Sequence, residues 1–423
     1  MPGKCEPEAA LSAGIPYAVL PGKVSLRIGG VMGAGRLVRR AVKVAAAGVI
    51  HYSGLRKAMA VYRRSQSGGR RILIVSYHRV VEDYTGAAQQ SIPGLLISKE
   101  TFRRHLEEAA ASGYEFATIS DAVAVMSGCK ATKQDLCVVT FDDGYRDVYR
   151  CAYPMLKRMG VPAIVYLPTA FIGTRRRFNH DRLFHLLRLA RQRRLRPFLG
   201  AVPEPALRLL KPALSGEKPL SEVLDDFIGE HSSRELHTVI EALERELGGG
   251  PDLLPEQGDV MDWDEVRRMA RDGFEFGAHT REHTVLTMES PEVMEREIVE
   301  SKRTIEREVG TPVQHFAYCN GWYSDEVIRM LKLHGFRSGV TTEDVPNRIG
   351  GDPFSIKRKV LWENFSIGML GDYSTALTGC QLDDCFGLLG MSQPVPGRRT
   401  HVFATRAANT LLLPNYQPME EPT

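Results

Sequence analysis

The sequence predicts an α/β chain: a distorted (β/α) barrel of about seven parallel strands carrying an inserted helical module. Three observations support this. Short apolar, β-branched runs alternate with amphipathic stretches from residue 71 onward. The alternation stops between 175 and 255 and then resumes. Repeated β-then-α units imply parallel strands joined by crossover helices. The 423 residues are 43% hydrophobic and 25% charged, which excludes a mostly disordered or collagenous chain.

The elements follow in order. Residues 1–70 form a basic segment whose best apolar run, Ala41 to Ile50, holds Lys43 and follows Arg36, Arg39 and Arg40. That run is too short to span a bilayer and comes too late for a signal peptide. It reads as a helix packing on the domain or lying on an anionic membrane surface, helped by Arg56, Lys57, Arg63 and Arg64. Arg71 to His78 is a buried-strand pattern. Ser98 to Ser112 is a helix with Ser98 as N-cap, and Thr118 to Met126 a short one. Leu136 to Phe141 is a strand, Asp147 to Met159 a helix and Pro162 to Leu167 a strand.

Residues 175–255 show no strand pattern. Arg175 to Lys211 holds ten Arg and one Lys against Asp181 and Glu204, and Ser221 to Leu247 is acidic and helical. After the Gly248–Pro251 loop, helices are expected at Trp263 to Arg271, Pro291 to Val309 and Ser324 to His334. Strands are expected at Phe274 to His279, Gln314 to Tyr318, Phe336 to Thr341 and Phe354 to Val360. The barrel is thus assigned to 71–174 and 256–365, the insertion to 175–255, and a weakly patterned, partly disordered C-terminal extension to 366–423.

A formal charge of +4 is too mild to argue for nucleic acid. Seven scattered cysteines without a CxxC pair argue for a reducing compartment. The expected location is cytoplasmic or peripheral to a membrane, with the oligomeric state left open.

Two motifs carry chemistry. Asp142 and Asp143, in Thr140-Phe-Asp-Asp-Gly144, stand where a strand ends, the end that carries function in parallel sheets. A divalent cation can bind one carboxylate and leave the other as a base. Read alone, the pair is equally a helix cap with a turn glycine. His279-Thr-Arg-Glu-His283 also ends a strand; two such histidines can share a metal or be unrelated. Thr280 occupies the place of the catalytic Glu in HExxH, so the base must come from elsewhere, and Asp142 is available. Together the motifs suggest Asp143, His279 and His283 as a His₂Asp metal site with positions open for water and substrate.

TFDDG, H-[ST]-x-x-H and their order resemble the polysaccharide deacetylases, the NodB-homology domains of carbohydrate esterase family 4. The resemblance covers about 71–174 and 256–362. It implies a distorted (β/α) barrel that removes acetyl groups from N-acetylglucosamine units of glycans. It also implies one divalent metal, usually zinc, on Asp143, His279 and His283, with Asp142 as general base and the Tyr145 backbone N–H binding the oxyanion. The early Tyr77-His78-Arg79-Val80 resembles the branch of poly-N-acetylglucosamine deacetylases, which implies His78 as general acid. Many family members take this acid from a histidine on a late strand in an L-x-x-H-like motif; here the only histidine after Val360 is His401, in the poorly patterned tail.

The third family motif, Arg-Pro-Pro-Tyr-Gly, departs here to Phe316-Ala-Tyr-Cys-Asn-Gly321. Ala317 replaces the arginine that would orient the base; Asp352 is expected either to stand in the place of the family's later Asp motif or, without that arginine, to pair with Arg358 or Lys357. Asn320, Trp322 and Tyr323 are assigned to a sugar-binding groove, with core packing the expected fate of one of the two aromatic residues. The arginine-rich stretch is read as a solvated face or as a site for phosphate or uronic acid on the substrate. The expected partner is an acetylated glycan. The competing readings are an amidase of the same fold acting on a small non-sugar amide, and an inert glycan-binding protein.

Overall fold

The computed structural model describes residues 34–193, 202–249, 253, 260–392 and 397–399. The expectations for 1–33, for His401 and for disorder in 400–423 lie outside the described residues.

Seven barrel strands are present: β1 (Ile72–Tyr77), β2 (Asp135–Phe141), β3 (Ala163–Leu167), β4 (Glu275–Ala278), β5 (His315–Ala317), β6 (Ser338–Val340) and β7 (Lys359–Val360). All pair in parallel, in the order β7-β1-β2-β3-β4-β5-β6, with a short strand, Tyr114–Phe116, beside the first half of β2. β1, β2 and β3 are buried at every position, which is why they read as continuous apolar runs rather than alternating ones. Phe354 to Val360 is not one strand. Ile356 bridges Val340 of β6, and Lys359 and Val360 then pair with Val75 and Ser76 of β1. The segment crosses from one edge of the sheet to the other and curls it toward closure.

Parallel strands place their C-terminal ends together at one mouth. The connecting helices are α1 (Ala34–Tyr52), α2 (Leu55–Gln66), α3 (Lys99–Ala111), α4 (Ile119–Met126) and α5 (Tyr153–Met159). The Ser98 hydroxyl accepts from Thr101 N, so α3 starts where its cap predicts. The helix expected over 147–159 opens with a π-turn at Val148–Ala152. Pro154 in the first turn of α5 has no N–H to continue the α ladder.

The insertion is helical: α6 (Asn179–Gln192), α7 (Glu204–Ser215), α8 (Leu220–Glu230) and α9 (Ser233–Glu246). It has its own core, including Leu186, Leu187, Leu210, Leu224 and Leu243, which continues onto Val285, Met288 and Cys319 at the barrel mouth. α10 (Trp263–Arg271), α11 (Pro291–Val309) and α12 (Asp325–Leu333) complete the barrel.

The weak pattern after 366 is misleading for its first part. α13 (Thr375–Leu382) and the turn Cys385–Leu388 are buried and share a cluster with Ala47, Ile50 and Met59 of α1 and α2. α13 is buried on nearly all sides, so it lacks the one-sided periodicity that a surface helix shows. Arg56 pairs with Asp383 at 2.7 Å, Arg64 with Asp135 at 2.8 Å, and Arg63 with Asp384. Those three cations face the fold, not an anionic surface; the exposed side of α1 is an apolar stripe of Val38, Val42, Val49 and Tyr52. No helix among the described residues is long and apolar enough to cross a membrane.

Candidate active site

Each candidate residue follows the end of a strand. Asp142 and Asp143 follow β2, His279 follows β4, and His78 follows β1. All four, with His283, line one open cavity of about 1890 Å³ at the barrel mouth. The turns are tight: Asp143, Thr280 and His283 all have positive φ, which costs energy for residues with a side chain and is tolerated where the surroundings hold it. At Gly144, also at positive φ, an added Cβ would lie 2.8 Å from the Leu167 side chain.

The His279 and His283 Nε2 atoms stand 3.5 and 3.2 Å from Asp143 Oδ1. This oxygen is buried and has no hydrogen-bond partner. His279 Nδ1 lies 2.7 Å from the Ala317 carbonyl, a contact that turns the ring so that Nε2 faces Asp143. The backbone N–H groups of Arg281 and Glu282 donate to Glu297 Oε2 at 2.9 and 2.7 Å, and Thr284 N donates to Thr280 Oγ1. The buried carboxylate on α11 thereby holds the loop between the two histidines. Cys319 also gathers within 4.8 Å of both histidines. Its Sγ lies 3.9 Å from His279 Nδ1, the ring nitrogen opposite the Nε2 that meets Asp143.

Arg358 holds Asp142. Its Nη1 and Nη2 donate to Oδ1 and Oδ2, both at 2.7 Å, its Nε donates to the Thr341 carbonyl at 3.1 Å, and the side chain is buried. Burial alone would push the Asp142 carboxyl up; Arg358 more than offsets it and holds the group below the ordinary carboxylate range. This corrects the expected pairing of Asp352: its Oδ1 accepts from Phe354 N, and Lys357 pairs with Glu343 at 2.5 Å. The late arginine was visible in the sequence; its partner was not. Burial lowers the pKa of His78, against the pull of Asp143 and Asp142, and its Nδ1 is buried without a partner.

The Tyr145 side chain is buried, and its hydroxyl donates to Asp181 at 2.9 Å and lies 3.0 Å from His180 Nε2. His180 lies at the start of α6 and lines the cavity, its ring centroid 5.1 Å from that of His283. Sequence reasoning missed it, because its helix belongs to the insertion. Ser221, Leu224 and Ile228 of α8 form another wall. Asn320 and Trp322 line the cavity. Trp322 packs its edge on Gly229 of α8 and lies under the Arg399 guanidinium at 4.5 Å. Tyr323 is buried, stacks on Tyr318 with centroids 5.1 Å apart, and is not part of the lining.

Residues 216–339 match the family model of the polysaccharide deacetylases. A Bacillus subtilis (strain 168) protein, YxkH, a polysaccharide deacetylase by name, is 19% identical over 249 residues. The match covers 59% of this chain and spans 60% of that relative's length. Among solved structures, the Streptococcus pyogenes deacetylase PplD is 17% identical with a TM-score of 0.46, covering 70% of this chain and 94% of PplD. IcaB from Ammonifex degensii is 16% identical with a TM-score of 0.47, covering 74% of this chain and 98% of IcaB. Over residues 216–339, which hold His279 and His283, the chain is thus similar to the polysaccharide deacetylases, the NodB-homology family that its two motifs resemble.

Proposed function

We propose that this chain is a metal-dependent hydrolase that removes N-acetyl groups from a polysaccharide or oligosaccharide by cutting the amide C–N bond with water. The supporting observation is the pair of adjacent aspartates with opposite surroundings. Asp142 is clamped by an arginine, whereas Asp143 presents an orphaned buried oxygen to two imidazole nitrogens. Three donors from Asp143, His279 and His283 suit a divalent cation such as zinc, and that oxygen has no hydrogen bond among the described residues. Asp143, His279 and His283 would hold such a metal, which would supply a water of lowered pKa and polarise the acetyl carbonyl.

The chain's own residues supply the rest. Asp142, kept ionised by Arg358, accepts a proton from the attacking water. The Tyr145 N–H donates to the oxyanion that develops on the acetyl carbonyl. His78, as the imidazolium, donates a proton to the amine nitrogen as the C–N bond breaks, because an unprotonated amine leaves poorly; the proton that Asp142 took from water is the equivalent released when the site resets and His78 is reprotonated. Asn320 and Trp322 line the sugar path, while Tyr323 supports Tyr318 beneath it. The amidase alternative drew its support from the missing third-motif arginine. With Arg358 holding the base, that departure no longer favours it.

The test is acetate release from acetylated glycans, N-acetylglucosamine oligomers first, against small amides. Asp142→Asn is expected to lower turnover by roughly 10²–10⁴-fold with metal content intact. Unchanged turnover would sink the mechanism, and cleavage of small amides alone would sink the glycan substrate. His78→Ala should show a similar loss with metal retained; a protein that loses its metal would make His78 a ligand instead.

A further inference from the structure

A second concavity adjoins the catalytic one. The Phe171 and Phe178 rings pack with centroids 4.4 Å apart, and Phe178 packs on His283 at 5.6 Å. Across this aromatic wall lies a groove of about 1150 Å³ lined by Arg175, Arg176, Arg177, Arg182 and Arg234. The sole acidic residue in that lining is Glu282, the neighbour of His283. Arg176 holds Glu282 with both nitrogens at 3.1 and 2.5 Å, and Arg182 reaches back to Glu244 at 2.8 Å. Arg175 and Arg234 are exposed and have no ion-pair partner among the described residues.

Like charges repel, so placing Arg175 and Arg234 round the same hollow as three further guanidiniums costs stability that the pairs of Arg176 and Arg182 offset only for themselves. A merely solvated basic face would spread them over a convex surface. Three come from the run before α6, one from its first turn and one from the first turn of α9. The two helix starts add their own partial positive charge to the same hollow. Guanidinium forks fit phosphate and carboxylate oxygens in pairs.

We propose that this groove holds a phosphate or carboxylate group of the glycan deacetylated next door, so that the substrate is an anionic glycan. The substrate assignment rests on the function proposed above; anion binding by the groove does not.

The probes are inorganic pyrophosphate and glucuronate, titrated by calorimetry at low salt into the metal-loaded protein and into the double variant Arg175→Gln/Arg234→Gln. Both proteins retain the metal centre, so their difference reads the groove. At least one probe should bind about tenfold more weakly to the variant. Equal affinities for both probes overturn the proposal whatever the activity. In turnover, N-acetylglucosamine oligomers bearing a phosphate or a glucuronate should show about tenfold higher kcat/KM than neutral ones. The variant should lose that advantage through KM and keep its rate on neutral oligomers. Which anion gains identifies the group. Equal kcat/KM on charged and neutral oligomers would refute the anionic substrate. A wild type that cuts no glycan would sink the deacetylase reading and leave calorimetry to judge the groove.

Discussion

Arg358 takes the place of a residue that the third motif lacks. β7 pairs with β1 beside β2, so the residue just before β7 lies next to Thr140 and Asp142. The buried pair is fully hydrogen-bonded, the condition under which a buried charge is tolerated. Arg358→Met leaves a buried carboxylate unpaired and should destabilise the fold by about 3–5 kcal/mol, read by denaturant unfolding. Arg358→Lys keeps a charge but loses the two-pronged grip. Asp142 must be ionised to act as base, and Arg358 holds its carboxyl down. The acidic limb of the pH–rate profile should therefore move to higher pH in the lysine variant; an unmoved limb would show that the guanidinium does not tune the base.

Two helices outside the family motifs shape the site. Glu297 on α11 fastens the loop that presents His279 and His283. Glu297→Ala should lower metal affinity by roughly 10–100-fold, the usual cost of removing a ligand's support, measured by competition with a chelator. α8 presses Gly229 against the Trp322 ring, where an added Cβ would stand 1.7 Å away. Gly229→Ala must therefore displace α8 or Trp322 and reshape the cavity wall. The expected outcome is a raised KM on oligosaccharides with kcat on a small acetylated amide unchanged. An equal loss on both substrates would mean the shift reaches the catalytic centre.

Acid should weaken the molecule as a whole. His105 lies between the Tyr77 hydroxyl and Ser366, and burial lowers its pKa to about 3. His315 lies between Ser120 and Ser338 and is lowered to about 4, mainly by burial with Arg337 adding to it. Both stay neutral in the fold well below the pH at which they protonate in the unfolded chain, near 6.5. The unfolded state then binds more protons, so stability falls as pH drops from about 6.5 toward 4, by up to about 1.4 kcal/mol per pH unit for each histidine. Chemical denaturation across that range reads the slope, and His105→Gln should reduce it by one proton.

Local signals gave the parallel-strand frame, the helix starts at Ser98 and Pro291 and the two strand-end motifs, because apolar periodicity, caps and paired carboxylates or histidines are near neighbours in the chain. The extent of β7, the burial of α13 and which of Trp322 and Tyr323 packs in the core were not legible, since each depends on a neighbour far along the chain. The same holds for the contacts that complete the site. Arg358 reaches Asp142 across 216 positions, and His180 enters from a module that carries no family motif. Sequence patterns mark which residues can bear charge or bind a metal; only the curl of the sheet and the docking of the insertion bring a cation, a carboxylate and an imidazole within hydrogen-bonding reach, where burial makes their interaction strong.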